Sequence, residues 1–325
     1  MDKLTIDNFK SVKHLELDCR RVNVLIGKPN SGKSNILEAL GLMSHAYYGH
    51  YGATLKDFIR IEDMTDIFYD REIGEKVSVT FGGAKLDIIE TKGYFKEVYR
   101  DIKGTSARDN DLWRFEYNGV GSAIISPLEE LSAFKFYRFQ IFSKFTEKRF
   151  RFLKPPYGDN LVSVLNTNRE LRMLVSSLFD EFGLKLVIKP LEEVVEVQKQ
   201  TEGVAIAYPY STVSDTLQRL VFHISAIKTT ENSVIMLEEP ESHAFPYYAK
   251  YLAELIALDK TNQYFISTHN PAFLLTIIEK APKDSSMAFL TYFEDYQTKV
   301  KPLKHEKILD MEYDIFSDID ALLEA

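Results

Sequence analysis

The sequence predicts an α/β domain built in layers around a mixed sheet, and three observations carry that reading. A continuous apolar strand, "VNVLIG", runs into a glycine-rich loop that opens a helix. Residues 75 to 120 alternate apolar and polar side chains between glycines, the pattern of an antiparallel meander. The last third alternates strand and helix signals, which implies a parallel sheet.

The elements follow in order. "KLTIDNFKSV" and "HLELDC" read as short strands joined by a turn, and "VNVLIG" as a strand covered on both faces. After "KPNSGKS", helical spacing at Ile36, Leu37, Leu40 and Met43 predicts a helix over "NILEALGLMSHAYY". The meander consists of "EKVSVTF", "AKLDIIET", "GYFKEVYRDI" and "LWRFEYNG". "AFKFYRFQIF" is a further strand and "PPYGDN" a breaker. From Leu161 one helix is predicted up to Gly183, its C-cap, followed by strands over "LKLVIKPLEEVVEVQKQTEGVAIAY". "SDTLQRLVFHISAIKT" reads as a helix capped by Ser214 or Asp215. The strand "SVIMLEE", the helix "YYAKYLAELIALD", the strand "NQYFISTH", the helix "PAFLLTII" and the strand "MAFLTYFEDY" come next, then an acidic tail read as a short helix. No internal repeat, low-complexity tract or long linker interrupts the series.

Composition narrows the class. The chain has 325 residues, 45% of them hydrophobic, enough for a substantial core in one large domain or two smaller ones. It reads as a single unit: a first lobe over 1–140, a helical lobe or insertion over 141–210, and a second half over 211–325. The net charge of -8 makes any nucleic-acid contact a local affair. One cysteine, Cys19, allows no disulfide within the chain and suits a reducing compartment. The N-terminus lacks the apolar stretch of a signal peptide, and no apolar run approaches the roughly 20 residues that span a bilayer. The expectation is a cytoplasmic protein with no membrane association.

The chemistry concentrates at three strand ends. "GKPNSGKS", Gly27 to Ser34, fulfils G-x-x-x-x-G-K-[ST] in the strand-to-helix context that this phosphate-binding loop requires. Backbone N–H groups of Gly27, Lys28, Pro29's neighbours, Asn30, Ser31, Gly32 and Asn35 would surround phosphate oxygens, Lys33 would bridge the β- and γ-phosphates of ATP, and Ser34 would ligate Mg2+. Pro29, which has no N–H, belongs to the same loop. Such a site needs a carboxylate at a neighbouring strand end, and "VIMLEEPESH" supplies two. Glu238 is read as the Mg2+ carboxylate, and Glu239 as the general base that activates water. Cations there offset what is otherwise a costly pair of adjacent like charges. "YFISTHNP" places His269 at the third strand end, to contact the γ-phosphate or hold the attacking water. A solvated turn and a structural histidine are the plainer readings of the last two stretches, and the phosphate loop decides against them. The helix start at Ser214 and Asp215 suits a phosphate as well, although an ordinary capped helix explains the same residues.

Together these residues resemble the ABC-type ATPases of the RecF/SMC group. The stretch "LTIDNFKSVKHLELDCRRVNVLIGKPNSGKSNILEAL" is similar to their N-terminal signature throughout. "IMLEEPESHAFP", "FISTHNP" and "FYRFQIF...PPYGDNLVSVL" resemble more narrowly the overcoming-lysogenization-defect (OLD) and Septu-type branch, often grouped as AAA-family ATPases. The resemblance implies an ABC-type head, in which a homodimer sandwiches two ATP molecules. Lys33 and Ser34 of one copy would then face Ser214 and Asp215 of the other. The family's signature glycine after the serine is absent here, which implies slow turnover. The resemblance also marks Gln140 as the Q-loop glutamine, a nucleotide and metal contact, and Ser11, beside Phe9 and Lys10, as part of a nucleotide-contacting turn. No sustained heptads exist to form a coiled-coil arm; a compact segment over about residues 155 to 190 fills that position. OLD members append a Toprim-type nuclease, but only about 50 residues follow His269, fewer than a usual domain needs. Asp318 to Asp320 mimics a metal pair and reads as tail. A separate effector, a nuclease or toxin, is therefore the expected partner.

A last patch, Lys144 to Lys154, interleaves phenylalanines with Lys144, Lys148, Arg149, Arg151 and Lys154. Alternation explains it as a strand or hairpin with one buried aromatic face; phosphate contact and base stacking on nucleic acid are the alternative. The functions in view are thus an ATP-driven switch of an effector in anti-phage defence or a toxin-antitoxin-like system, a RecF-like DNA-repair ATPase, or a scaffold that binds ATP and hydrolyses little.

Overall fold

In the computed structural model, residues 2–103 and 109–309 are described. The acidic tail and its Asp318–Asp320 pair lie outside them. The elements run β1 (Lys3–Phe9), β2 (Val12–Asp18), β3 (Val22–Ile26), α1 (Lys33–Tyr48), α2 (Leu55–Phe58), β4 (Val77–Phe81), β5 (Ala84–Thr91), β6 (Tyr94–Asp101), β7 (Asn110–Phe115), β8 (Gly121–Ala123) and β9 (Phe134–Tyr137). There follow α3 (Leu161–Thr167), α4 (Arg169–Asp180), β10 (Leu184–Lys189), β11 (Val194–Thr201), β12 (Val204–Pro209), α5 (Asp215–Lys228), β13 (Val234–Glu238), α6 (Pro246–Leu258), β14 (Gln263–Ser267), α7 (Pro271–Lys280), β15 (Ser286–Glu294), β16 (Gln297–Leu303) and α8 (His305–Leu309).

The apolar strand β3 sits in the interior of a six-stranded sheet of order β16-β15-β3-β14-β13-β9, parallel except for β16. Its run is continuous because both faces are covered. Val22, Val24 and Ile26 enter one core, with α5, α6 and α7, while Leu25 enters a second, with α1. Neighbouring strands alternate the same way: Ile235 and Leu237 against Met236, Tyr264 and Ile266 against Phe265. Helix α1 is buried nearly all round because its other side meets a seven-stranded antiparallel sheet of order β2-β1-β4-β5-β6-β7-β8. This gives an ABC-ATPase-like layering, with no coiled-coil arm among the described residues.

The meander and the strand–helix series lie where the sequence puts them, and four local readings change. The strand predicted over Ala133–Phe142 is only β9; residues 138–160 contain neither strand nor helix. The helix predicted from Leu161 to Gly183 breaks at Asn168, whose backbone is extended (φ -104°, ψ 103°) and whose side chain accepts from Leu171 N. An Asx cap thus outcompetes the continuing helix. The lobe read as helical pairs α3 and α4 with a three-stranded sheet β10-β11-β12. Strand β16 has no counterpart in the reading; its Lys-rich sequence and Pro302 suit an edge strand, where a missing N–H faces outward.

Candidate nucleotide site

The loop between β3 and α1 is held in shape from the far end of the chain. Thr291 of β15 donates to Ile26 O (2.9 Å) and shares a 2.7 Å bond with the Ser31 hydroxyl. Thr298 of β16 shares a 2.6 Å bond with Ser11, which accepts from Asn35 Nδ2 at 2.7 Å. Close approach demands glycine twice: at Gly27 (φ 150°) a Cβ would lie 2.2 Å from Thr291 O, and at Gly32 (φ 98°) 1.9 Å from Thr298 Oγ1. Lys33 is buried, and its Nζ donates to Gly27 O and Lys28 O, 2.9 Å each. Burial pulls its ammonium down to about 8, against the raising pull of Glu239 and Glu238.

Strand β13 delivers the carboxylates opposite this loop. Glu238 accepts a short hydrogen bond from the Ser34 hydroxyl. Glu239 turns out of the strand with φ 43°, a left-handed conformation that side-chain-bearing residues adopt at a cost of about 1–2 kcal/mol. That turn brings its Oε1 to 3.5 Å from His269 Nε2 and its Oε2 within reach of the Ser242 hydroxyl (3.1 Å). His269, on the turn after β14, is held below the usual histidine value by burial first and the Lys33 charge second, against Glu239, so the ring is neutral near pH 7. A cleft of about 500 Å3 joins Ser11, the loop from Pro29 to Asn35, Glu239 and His269.

Arg60, which the sequence reading misses, lines the same cleft. Its Nη2 donates to Glu238 Oε1 (3.1 Å) and its Nε to Glu38 Oε1 (2.6 Å). Glu38, on α1, is fully buried and also accepts from Lys10 Nζ (2.5 Å) and Arg138 Nη2 (2.9 Å). Three cations around one buried carboxylate offset its desolvation. The one available signal was a charge inside a helix whose neighbours are all apolar, and it named no partner.

The residues present fit a nucleotide and a divalent cation. Ser34 and Glu238 form an oxygen pair of the hard type that Mg2+ prefers. The Arg60 guanidinium already sits on that carboxylate as a positive charge. Gly27 and Gly32 keep the loop backbone clear of Cβ atoms.

Other predicted residues lie elsewhere. Gln140 is exposed beyond β9 and does not line this cleft. Ser214 is the N-cap of α5 and Asp215 its first residue, bound to Arg219 Nε at 2.7 Å; within one chain both lie outside the cleft. Ser214 instead borders a second, apolar cleft with Phe182, Tyr208 and Phe245. In the basic patch Phe145 is buried, and Phe142, Phe150 and Phe152 pack against the cores, so the aromatics face inward. Lys154 is buried against Glu147 and Asp159. Lys148, Arg149 and Arg151 stay exposed and border one groove with Arg169 of α4.

Fold and loop are those of an ABC-ATPase-like head with a phosphate-binding loop. Comparison with known proteins agrees: residues 1–149 match the AAA ATPase domain family. That match, with the loop geometry, supports ATP binding and hydrolysis. No curated protein matches the chain. Among solved structures, the chain is similar to the Smc head domain with an extended coiled coil bound to the C-terminal domain of ScpA, derived from Pyrococcus furiosus. Identity is 14%, coverage 98% of this chain and 100% of that one, and the TM-score 0.54. An SmcHead bound to the C-winged helix domain of ScpA shares 15% identity over 94% and 98% of the two chains, with a TM-score of 0.53. At this identity the likeness is one of fold. Among the described residues, no helix is long and apolar enough to cross a membrane.

Proposed function

We propose that the chain hydrolyses ATP to ADP and phosphate, that two copies close over two nucleotides, and that the cycle switches a separate effector protein. The observation that carries this is the convergence of three strand ends: Ser34 on Glu238, and Glu239 beside His269, over one cleft. Loop amides and the Lys33 ammonium would hold the β- and γ-phosphates. Ser34 and Glu238 would hold Mg2+, which when bound offsets phosphate charge. Glu239 accepts the proton of the attacking water, and the neutral His269 ring orients that water. The second copy would contribute Ser214 and Asp215, which lie outside the nucleotide cleft of their own chain. The missing glycine beside Ser214 favours slow turnover.

The partner proposal draws on the Smc heads, which are bound to ScpA domains. The defence setting draws on the resemblance of "IMLEEPESHAFP" and "FISTHNP" to the OLD and Septu-type branch. The clamp is tested by light scattering: the Glu239→Gln protein runs as a dimer with Mg-ATP and as a monomer without nucleotide. A monomer under both conditions contradicts the sandwich. Co-purification with the product of an adjacent gene tests the effector.

One observation favours a second reading, direct DNA binding. Arg169, far from the basic patch in sequence, borders the same groove as Lys148, Arg149 and Arg151. With the aromatics packed inward, binding there would rest on phosphate contacts and weaken steeply with salt. Charge reversal at Lys148, Arg149 and Arg151 is expected to lower DNA affinity at least about tenfold; unchanged affinity removes the reading.

A further inference from the structure

Three residues past Glu238, Glu241 is an acid placed where an acid is expensive. Its side chain is buried at 6% exposure, and the chemistry assigned to Glu238 and Glu239 leaves it no role. Oε1 accepts a short hydrogen bond from the Thr268 hydroxyl; Oε2 is buried with no hydrogen-bond partner among the described residues. The Thr268 oxygen accepts from Asn270 N at 3.0 Å, and Asn270 caps α7 by accepting from Phe273 N at 3.0 Å. His269 sits between those two residues. Glu241 therefore holds one flank of the histidine turn directly and the other through the Thr268 hydroxyl, from the segment that carries Glu239. Burial and the nearby Glu239 push its carboxyl up to about 7, although the Thr268 bond pulls the other way.

The same segment reaches a third element. The His243 carbonyl accepts from Thr216 Oγ1 of α5 at 2.7 Å, and its ring lies 3.8 Å from Asp215. One short connection thus touches the base, the histidine turn and the helix start that the sandwich would present to a second nucleotide.

We infer that Glu241 is a positioning residue: through Thr268 it fixes the His269 ring against Glu239, and it does so as a hydrogen-bond acceptor rather than as a charge. The inference deepens the proposed hydrolysis and rests on His269 serving there. Glu241→Gln keeps length and acceptor without charge. Glu241→Ala removes the grip, and Thr268→Val removes its donor with little change of shape.

Two readouts test it in the full chain. In imidazole NMR of histidine-labelled, nucleotide-free protein, Glu241→Gln retains the wild-type His269 titration. Thr268→Val and Glu241→Ala move it up toward the usual histidine value, because the ring leaves its half-buried place beside Lys33. In parallel, kcat falls roughly ten- to hundredfold in Thr268→Val and Glu241→Ala, while the Kd for ATP stays within about twofold. An unchanged His269 titration in Thr268→Val overturns the inference, as does a Glu241→Gln protein that behaves like Glu241→Ala. Should Glu241→Ala not fold, Thr268→Val and Glu241→Gln still decide it. The NMR arm needs no turnover, so it stands apart from a failure of the ATPase reading, which shows as wild-type protein releasing no phosphate.

Discussion

Lys33 shows how the site is charged before any nucleotide arrives. Its ammonium is buried on the carbonyls of Gly27 and Lys28 and held near a pKa of about 8. Phosphate favours the charged form, so the bound state has the higher pKa and binding takes up a proton above the free-state value. ATP affinity should therefore fall as pH rises through about 8. Calorimetry in buffers of different ionisation enthalpy measures both effects; flat affinity between about pH 7 and about pH 9 contradicts them. At this scale the motif residues were legible and their supports were not. Loop, Glu238, Glu239 and His269 announce themselves by strand-end position. Glu38, Arg60 and Arg138 become partners only through folding, across separations of 22 and 100 positions.

The phosphate loop owes its shape to an element that the sequence reading did not see. Strand β16 presses Thr298 against Gly32, and β15 supplies the Thr291 hydroxyl to Ser31 and Ile26. Gly32→Ala puts a Cβ into Thr298 at a positive φ, which costs about 1–2 kcal/mol in backbone conformation alone. ATP affinity should drop at least about tenfold, and Gly32→Ala with Thr298→Ala should recover part of that loss, because the steric partner is gone. Calorimetric titration of the two proteins measures it; equal affinities for both contradict the coupling. Apolar strands and the meander were legible because period and glycine punctuation report burial directly. The break at Asn168 and strand β16 were not, since one depends on a cap competing with a helix and the other is polar enough to pass for loop.

Across the whole molecule, two sheets enclose α1 and place three strand ends around one cleft, in the layering of an Smc head. A short lobe of two helices and three strands, α3 to β12, follows β9. That layering was legible from the order of strand and helix signals. The position of Ser214 and Asp215 outside the cleft was legible only through the resemblance, which sets them toward a second copy; the periodicity of one chain carries no mark of it. The division of labour between Glu238 and Glu239 underlies the entire account. The most direct test is phosphate release by wild-type and Glu239→Gln proteins, with ATP binding followed in parallel. Glu239→Gln is expected to bind ATP as wild type does and to lose at least about a hundredfold in turnover. Wild-type turnover in Glu239→Gln would contradict it.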